Sequence, residues 1–314
     1  MNIPAVTRVY KNHHLDSTRW ESYTPRDDDI IVTTSYKSGT TFTQQILYNM
    51  LVRDTQHDDE LPEINAISPW VDARFWGITK EDLVPLLEGI KHRRFLKSHL
   101  PLYGLPYYEQ VKYLIIGRDV RDVFMSMVNH YSNYTDLSYA VLEQDNPGLP
   151  FPRYDGDIKA FWKNWITRGW FEWEQEGYPM WANMQHTQSY WEYRHLPNFL
   201  FLHYADMRAD LPAAVKRIAD FIEHDLSEDE ISAIVSATDF ENVRKKAVAK
   251  AKQLEGQPQF FNGGDATFFF KGNNGRWKDV LDEEDLCMYE ETKSKVLSED
   301  CAAWLEQGDA ALES

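Results

Sequence analysis

Apolar positions along the chain fall into two kinds of pattern: short continuous runs, and longer stretches with helical spacing. Ile30 to Val32 is a run of the kind found in a strand covered on both faces. Phe42, Ile46, Leu47, Met50 and Leu51 then recur on one face of a helix. Arg94 to Lys97, Lys112 to Gly117 and Asn198 to His203 predict three more strands. Asp119 stands where it would cap the helix after the second of these. Ile158 to Trp173 predicts an amphipathic helix dense in Trp and Phe, and Leu211, Val215, Ile218, Ala219 and Ile222 mark another. Ser227 to Ser236 carries a capping box, with Glu230 three residues after Ser227. Residues 54 to 93 read as irregular and acidic, 132 to 156 as loop, 250 to 276 as a glycine-rich loop, and about 283 to 308 as a closing acidic helix.

Strands alternating with helices predict an α/β fold: a central parallel sheet flanked by helices. No Pro/Gly/Ser-rich linker or internal repeat divides residues 1 to 314, so a single domain is expected. In such sheets ligands bind beyond the carboxyl ends of the strands. Lys37, His99 and Arg118 each follow directly on a predicted strand, which points all three into one crevice.

The first strand-to-helix turn carries the most chemistry. Between strand and helix stand Lys37, Ser38, Gly39, Thr40 and Thr41. A helix N-terminus offers unpaired N–H groups and the positive end of the macrodipole. Gly39 permits close approach, the hydroxyls add donors and Lys37 adds a charge. The turn is therefore suited to a phosphate or sulfate group. It is not of the GxxxxGK[ST] type, because its glycine follows the lysine.

Composition narrows the partners. The formal net charge is −17, from 50 acidic and 33 basic residues, which disfavours nucleic acid. Lys37, Lys97, Arg118 and Lys271 would make a local basic site on an acidic body, drawing in a polyanionic cofactor. Cys287 and Cys301 suggest neither a disulfide framework nor a zinc site. Met1 to Trp20 lacks the apolar core of a secretory signal, and no apolar run approaches the ~20 residues of a membrane span. A cytoplasmic protein without a membrane partner is expected, and its oligomeric state is left open. The 11 Trp, 17 Tyr and 16 Phe exceed what a core needs, so some are expected to wall a pocket.

Four segments in order resemble the cytosolic-type sulfotransferases over roughly residues 25 to 285. They are Tyr36-Lys37-Ser38-Gly39-Thr40-Thr41-Phe42, then Lys97-Ser98-His99-Leu100-Pro101, then Arg118 with Ser126 eight residues on, and Phe270-Lys271-Gly272-Asn273-Asn274-Gly275-Arg276-Trp277-Lys278. The resemblance implies a P-loop-like nucleotide-binding architecture. It also implies transfer of a sulfuryl group from 3′-phosphoadenosine 5′-phosphosulfate (PAPS; product PAP) to a small acceptor, without a metal.

Carried onto this chain, the resemblance makes His99 the general base, Lys97 a stabiliser of the transferring group and Lys37 the contact to the 5′-phosphosulfate. Ser38, Gly39, Thr40 and Thr41 line the same turn, and Phe42, where the family has Trp, stacks on adenine. Arg118, Ser126, Lys271 and Gly272 hold the 3′-phosphate, and Tyr204, Thr238 and Phe240 contact adenine. Phe270 stands where the family has an arginine, which removes one charge from the 3′-phosphate site unless another residue supplies it. The family's dimer motif after Trp277 is not matched. Trp70, Phe75, Trp76 and Tyr103, with aromatics of residues 131 to 173, are expected to wall an apolar acceptor pocket over His99, suited to a small hydrophobic or aromatic hydroxyl compound. Lys112 and Arg121 match no motif position and read as surface charges. The alternatives are a P-loop-type kinase using ATP and Mg²⁺, or a nucleotide-binding protein whose catalysis has decayed.

Overall fold

The apolar runs become a parallel sheet because both of its faces are covered. In the computed structural model, which describes residues 3–53, 63–75, 77–268 and 274–312, the strands are β1 (Ile30–Thr34), β2 (Phe95–Ser98), β3 (Lys112–Gly117) and β4 (Phe199–His203). They pair in the order β2-β1-β3-β4, all parallel, with Ile31 opposite Leu96 on one side and Tyr113 on the other. Side chains alternate between faces. Ile31, Tyr113, Ile115 and Phe201 pack with the helices Val120–Ser132, Ile158–Thr167 and Glu299–Gln307. Ile30, Val32, Leu114 and Ile116 pack with α1 (Thr40–Leu51) and the helices Leu211–Phe221 and Glu228–Thr238. The result is one α/β domain.

Two buried features set where the strands begin and end. Arg94 donates to both carboxylate oxygens of Asp29, at 2.8 and 2.5 Å, and neither side chain reaches solvent. The pair immediately precedes β1 and β2; removing one partner of such a pair costs about 3–5 kcal/mol. At the other end, a Cβ on Gly117 would stand 2.3 Å from the Trp304 ring, so glycine lets the C-terminal helix close over the tip of β3.

Several sequence expectations are corrected. The stretch 54 to 93, read as irregular, contains the helix Lys80–Gly89, started by a reciprocal Thr79–Asp82 capping box. The 132 to 156 loop contains the helix Asp136–Glu143, capped by Thr135 and Ser138. The helix from Ile158 stops at Thr167, not Trp173: Arg168 is extended and the chain folds back so that Glu174 accepts from the N–H groups of Trp170, Phe171 and Ala182. The glycine-rich stretch from 250 begins inside the helix Phe240–Gln253. The closing helix is two, Glu283–Val296 and Glu299–Gln307, separated by extended Leu297. Arg121 is not a surface charge: it grips Asp119 and lies 4.2 Å from the Trp277 ring centre. Most tryptophans serve the core, with Trp20, Trp162, Trp165, Trp181, Trp191 and Trp304 almost wholly buried. No helix among the described residues is long and apolar enough to cross a membrane.

Candidate active site

The turn from β1 to α1 has the backbone its sequence implies. Lys37 (φ 60°) and Gly39 (φ 119°) both adopt left-handed conformations. Such turns curl successive N–H groups towards one point. A Cβ on Gly39 would stand 2.8 Å from the Tyr204 ring, so both strain and space require glycine. Among the described residues no side-chain hydrogen bond caps α1, which leaves the N–H groups of its first turn available to an anion. Ser38 departs from expectation. It is fully buried, and its hydroxyl meets Ser35 Oγ at 2.6 Å, with Asn183 Nδ2 donating to Ser35 Oγ at 2.7 Å. The side chain closes the turn from within instead of adding a donor to the cleft. Thr40 and Thr41 do line the cleft, and Thr40 Oγ1 lies 2.6 Å from Thr34 Oγ1.

The end of β2 supplies Lys97 and His99. Trp70 bridges to Lys97, whose ammonium lies 4.4 Å from the Trp70 ring centre. Asp72, fully buried, accepts from Trp20 Nε1 (3.0 Å), Trp70 Nε1 (2.7 Å) and the His99 N–H (3.3 Å). It thereby fixes Trp70 and the His99 backbone together. His99 Nδ1 lies 2.9 Å from the Thr34 carbonyl, which can only accept. The proton is therefore on Nδ1, and Nε2 keeps its lone pair. Burial, then the Lys97 charge, hold the His99 pKa well below the usual histidine value, so the ring is neutral near pH 7. Burial, then Arg118 and Lys97, push Lys37 down to about 7. Burial alone brings Lys97 down to about 8, against the pull of Asp72.

Farther along the cleft, Arg118 follows β3 and Ser126 stands two turns into the next helix; both line the cavity. Arg118 Nη1 donates to the Lys37 carbonyl (3.1 Å), and its guanidinium lies 4.4 Å from the Tyr204 ring centre. Phe42, Thr238, Phe240 and Tyr204 line an aromatic end, where Arg208 sits 5.3 Å from the Phe240 ring centre. The whole cleft encloses about 1070 Å³, its open mouth included.

The structure thus brings Lys37, Gly39, Thr40, Thr41, Phe42, Trp70, Lys97, His99, Arg118, Ser126, Tyr204, Thr238 and Phe240 to one cavity. Tyr103 does not belong there: its hydroxyl donates to Glu192 (3.2 Å) and its ring stacks under Arg8. Phe75 packs behind Trp70, ring centres 5.4 Å apart, and does not line the cleft. Among the described residues, none of the aromatics from 131 to 173 lines it. Trp76, Lys271 and Gly272 lie outside the described residues, as does Phe270.

Sequence reasoning missed Tyr36, Gln45, Asn129, His130, Arg208, Val243 and Arg276, which also line the cleft. Most were findable. Gln45, Asn129, His130, Arg208 and Val243 each stand three or four residues after a motif residue on the same helix, and so share its face. His130 Nε2 takes the Tyr36 hydroxyl at 3.0 Å, and the Tyr36 ring lies 5.3 Å from that of His99. Asp72 left no signal, because it acts from behind the site.

A cleft of buried cations beside a neutral histidine, at the carboxyl ends of parallel strands, is suited to group transfer from an anionic donor. The family profile of the sulfotransferase domain matches residues 27–299. A glycolipid sulfotransferase of Mycobacterium bovis is 30% identical over 96% of this chain and 94% of its own. An amine sulfotransferase of Oryctolagus cuniculus is 30% identical over 81% and 75%. Among solved structures, retinol dehydratase with androsterone and the inactive cofactor PAP superposes with a TM-score of 0.66, at 23% identity over 90% of this chain and 84% of that one. A mouse sulfotransferase complexed with PAP gives 0.65, at 21% identity over 95% and 92%. The chain belongs to the sulfotransferase domain family, and it is an enzyme of the sulfuryl-transfer class.

Proposed function

We propose that the protein, as one sulfotransferase domain, moves the sulfuryl group of PAPS to the hydroxyl of a small hydrophobic or aromatic acceptor, with His99 as general base and no metal. The observation that carries this reading is the convergence of Lys37, Lys97 and Arg118 on one cleft beside a histidine whose Nδ1–H is committed to the Thr34 carbonyl. The donor set fits PAPS. Cations and the uncapped start of α1 suit its phosphate and sulfate groups, and Phe42 with Phe240 suits a purine. The PAP complexes of retinol dehydratase and the mouse sulfotransferase support the same cofactor. Bound there, PAPS would supply the sulfuryl group. Lys37, Thr40 and Thr41 would hold its 5′ end, Lys97 would offset charge on the peripheral oxygens, and Arg118 and Ser126 would take the 3′-phosphate. His99 Nε2 would accept the acceptor's hydroxyl proton. Trp70, Tyr36 and His130 would wall the acceptor end. The acceptor screen should include glycolipids and amines beside phenols and alcohols, given the names of the relatives. An acidic chain without a membrane-spanning helix among its described residues fits a cytoplasmic role with no nucleic-acid partner.

Calorimetry without metal tests the cofactor. PAP should bind, and AMP and ATP should bind far more weakly. A preference for ATP that needs Mg²⁺ would replace this reading with a kinase, no nucleotide binding at all would overturn it, and PAP binding without transfer to any acceptor would leave a nucleotide-binding protein whose catalysis has decayed.

Binding should also be linked to protons. With Lys37 near 7 and Lys97 near 8 in the free protein, both lose charge as pH rises through that range. An anion favours the charged forms and raises both values, so binding takes up protons and affinity falls as pH rises. Between roughly pH 6 and about pH 9, PAP affinity should drop by about tenfold or more, with net proton uptake in buffers of different ionisation enthalpy. A flat profile would sink the assignment of these lysines to the anion.

A further inference from the structure

The third motif carries a charge to which the sequence assigned no task. Arg276 lines the same cleft as Arg118 and Ser126. Its position is set by the segment before and after it. Asn274 Oδ1 accepts from Arg118 Nη2 at 3.0 Å. Gly275, in a left-handed conformation (φ 84°), donates its N–H to Asp122 Oδ1 at 2.7 Å. Arg276 Nη2 donates to the Met125 carbonyl at 3.3 Å, and Trp277 lies under Arg121. These contacts pin residues 274–277 across the helix that bears Ser126.

The charges then run in an order along the cleft. Lys37 follows β1, with Lys97 on β2 to one side in the sheet and Arg118 after β3 on the other, and Arg276 adds its charge near Arg118. Lys97 and His99 mark the end where transfer must occur. Arg118, Ser126 and Arg276 stand on the β3 side of Lys37, around the helix Val120–Ser132. Asp122, itself engaged by the Gly275 N–H, stands near both guanidiniums, and Asp119 adds a second carboxylate near Arg118. Two guanidiniums facing one cavity give it a positive potential suited to a multiply charged anion. Arginine forks also match the oxygens of a phosphate.

We propose that Arg276 is a second guanidinium ligand of the cofactor's 3′-phosphate, acting with Arg118 and Ser126 and supplying the charge that Phe270 removes from the motif. This rests on the PAPS reading above.

The test compares PAP with AMP, which lacks the 3′-phosphate, on the full chain, with AMP measured by displacement. Arg276→Ala should weaken PAP by about tenfold or more while leaving AMP within about twofold, since a charged hydrogen-bonded contact is lost at one phosphate only. Arg276→Lys should recover part of the loss, because charge is kept without the fork. It also serves as the folding-safe variant, with the thermal midpoint checked for both. If Arg276→Ala leaves PAP affinity unchanged, or weakens PAP and AMP equally, the assignment is overturned. A wild-type protein with no preference for PAP over AMP would overturn the PAPS reading itself, and is distinguishable because it needs no variant.

Discussion

Replacing His99 with alanine is expected to lower kcat for sulfuryl transfer by roughly 10²–10⁴-fold while leaving PAP affinity within a few fold, the usual span for losing a positioned general base. Three observations set that expectation. The ring is buried between Tyr36 and Trp70, with ring centres 5.3 and 4.9 Å away. Its Nδ1–H is spent on the Thr34 carbonyl, so the free lone pair of the ring is on Nε2. Burial and Lys97 keep it uncharged near pH 7. Because the pKa is lowered, the neutral, base-competent form persists below the ordinary histidine value. The wild-type rate should therefore show no acid limb near pH ~6.5. His99→Gln, which fills more of the space, should be equally slow if proton transfer is the missing function. An alanine variant that keeps full turnover with a well-bound acceptor would remove His99 from the base role.

Lys37→Ala should have the second-largest effect, a fall in kcat of about 10²–10³-fold with weaker PAP binding, as for other preorganised charges at a transferring group. The more discriminating readout is stability. Lys37 is buried and pushed down by Arg118 and Lys97. In the free protein burial and the two neighbouring cations therefore oppose its charge, and a bound anion would favour it. Removing it should leave the thermal midpoint of the free protein unchanged or higher, while the upward shift caused by PAP shrinks. A variant that loses both activity and free-protein stability would mark Lys37 as a structural residue.

Legibility of the site followed how far each residue acts through local sequence. The turn at Lys37–Thr41, Arg118 with Ser126, and His99 are each set by a strand end and a short offset, and such offsets are visible in one dimension. The helix-face neighbours Asn129, His130 and Arg208 were one step further, readable from their spacing after Ser126 and Tyr204. Ser38 misled because hydroxyls at a turn look alike; whether one faces an anion or closes the turn depends on Ser35 and Asn183, the latter far away in sequence. Tyr103 and Phe75 misled because aromatic content carries no direction.

By itself the sequence determined the parallel α/β sheet, through short apolar runs that need cover on both faces, and the tight turn after the first strand, through Gly39 at the start of the helix. It also determined the class of chemistry, through four ordered motifs. Only the tertiary structure decided which groups share the cleft and in what state. Asp72 positions Trp70 and His99 from behind, Thr34 fixes the tautomer of His99, and Asn274 and Gly275 carry Arg276 over to Arg118. The physical reason is common to all three: burial and charge proximity are sums over neighbours brought together from distant parts of the chain, and a linear pattern records spacing but not those sums.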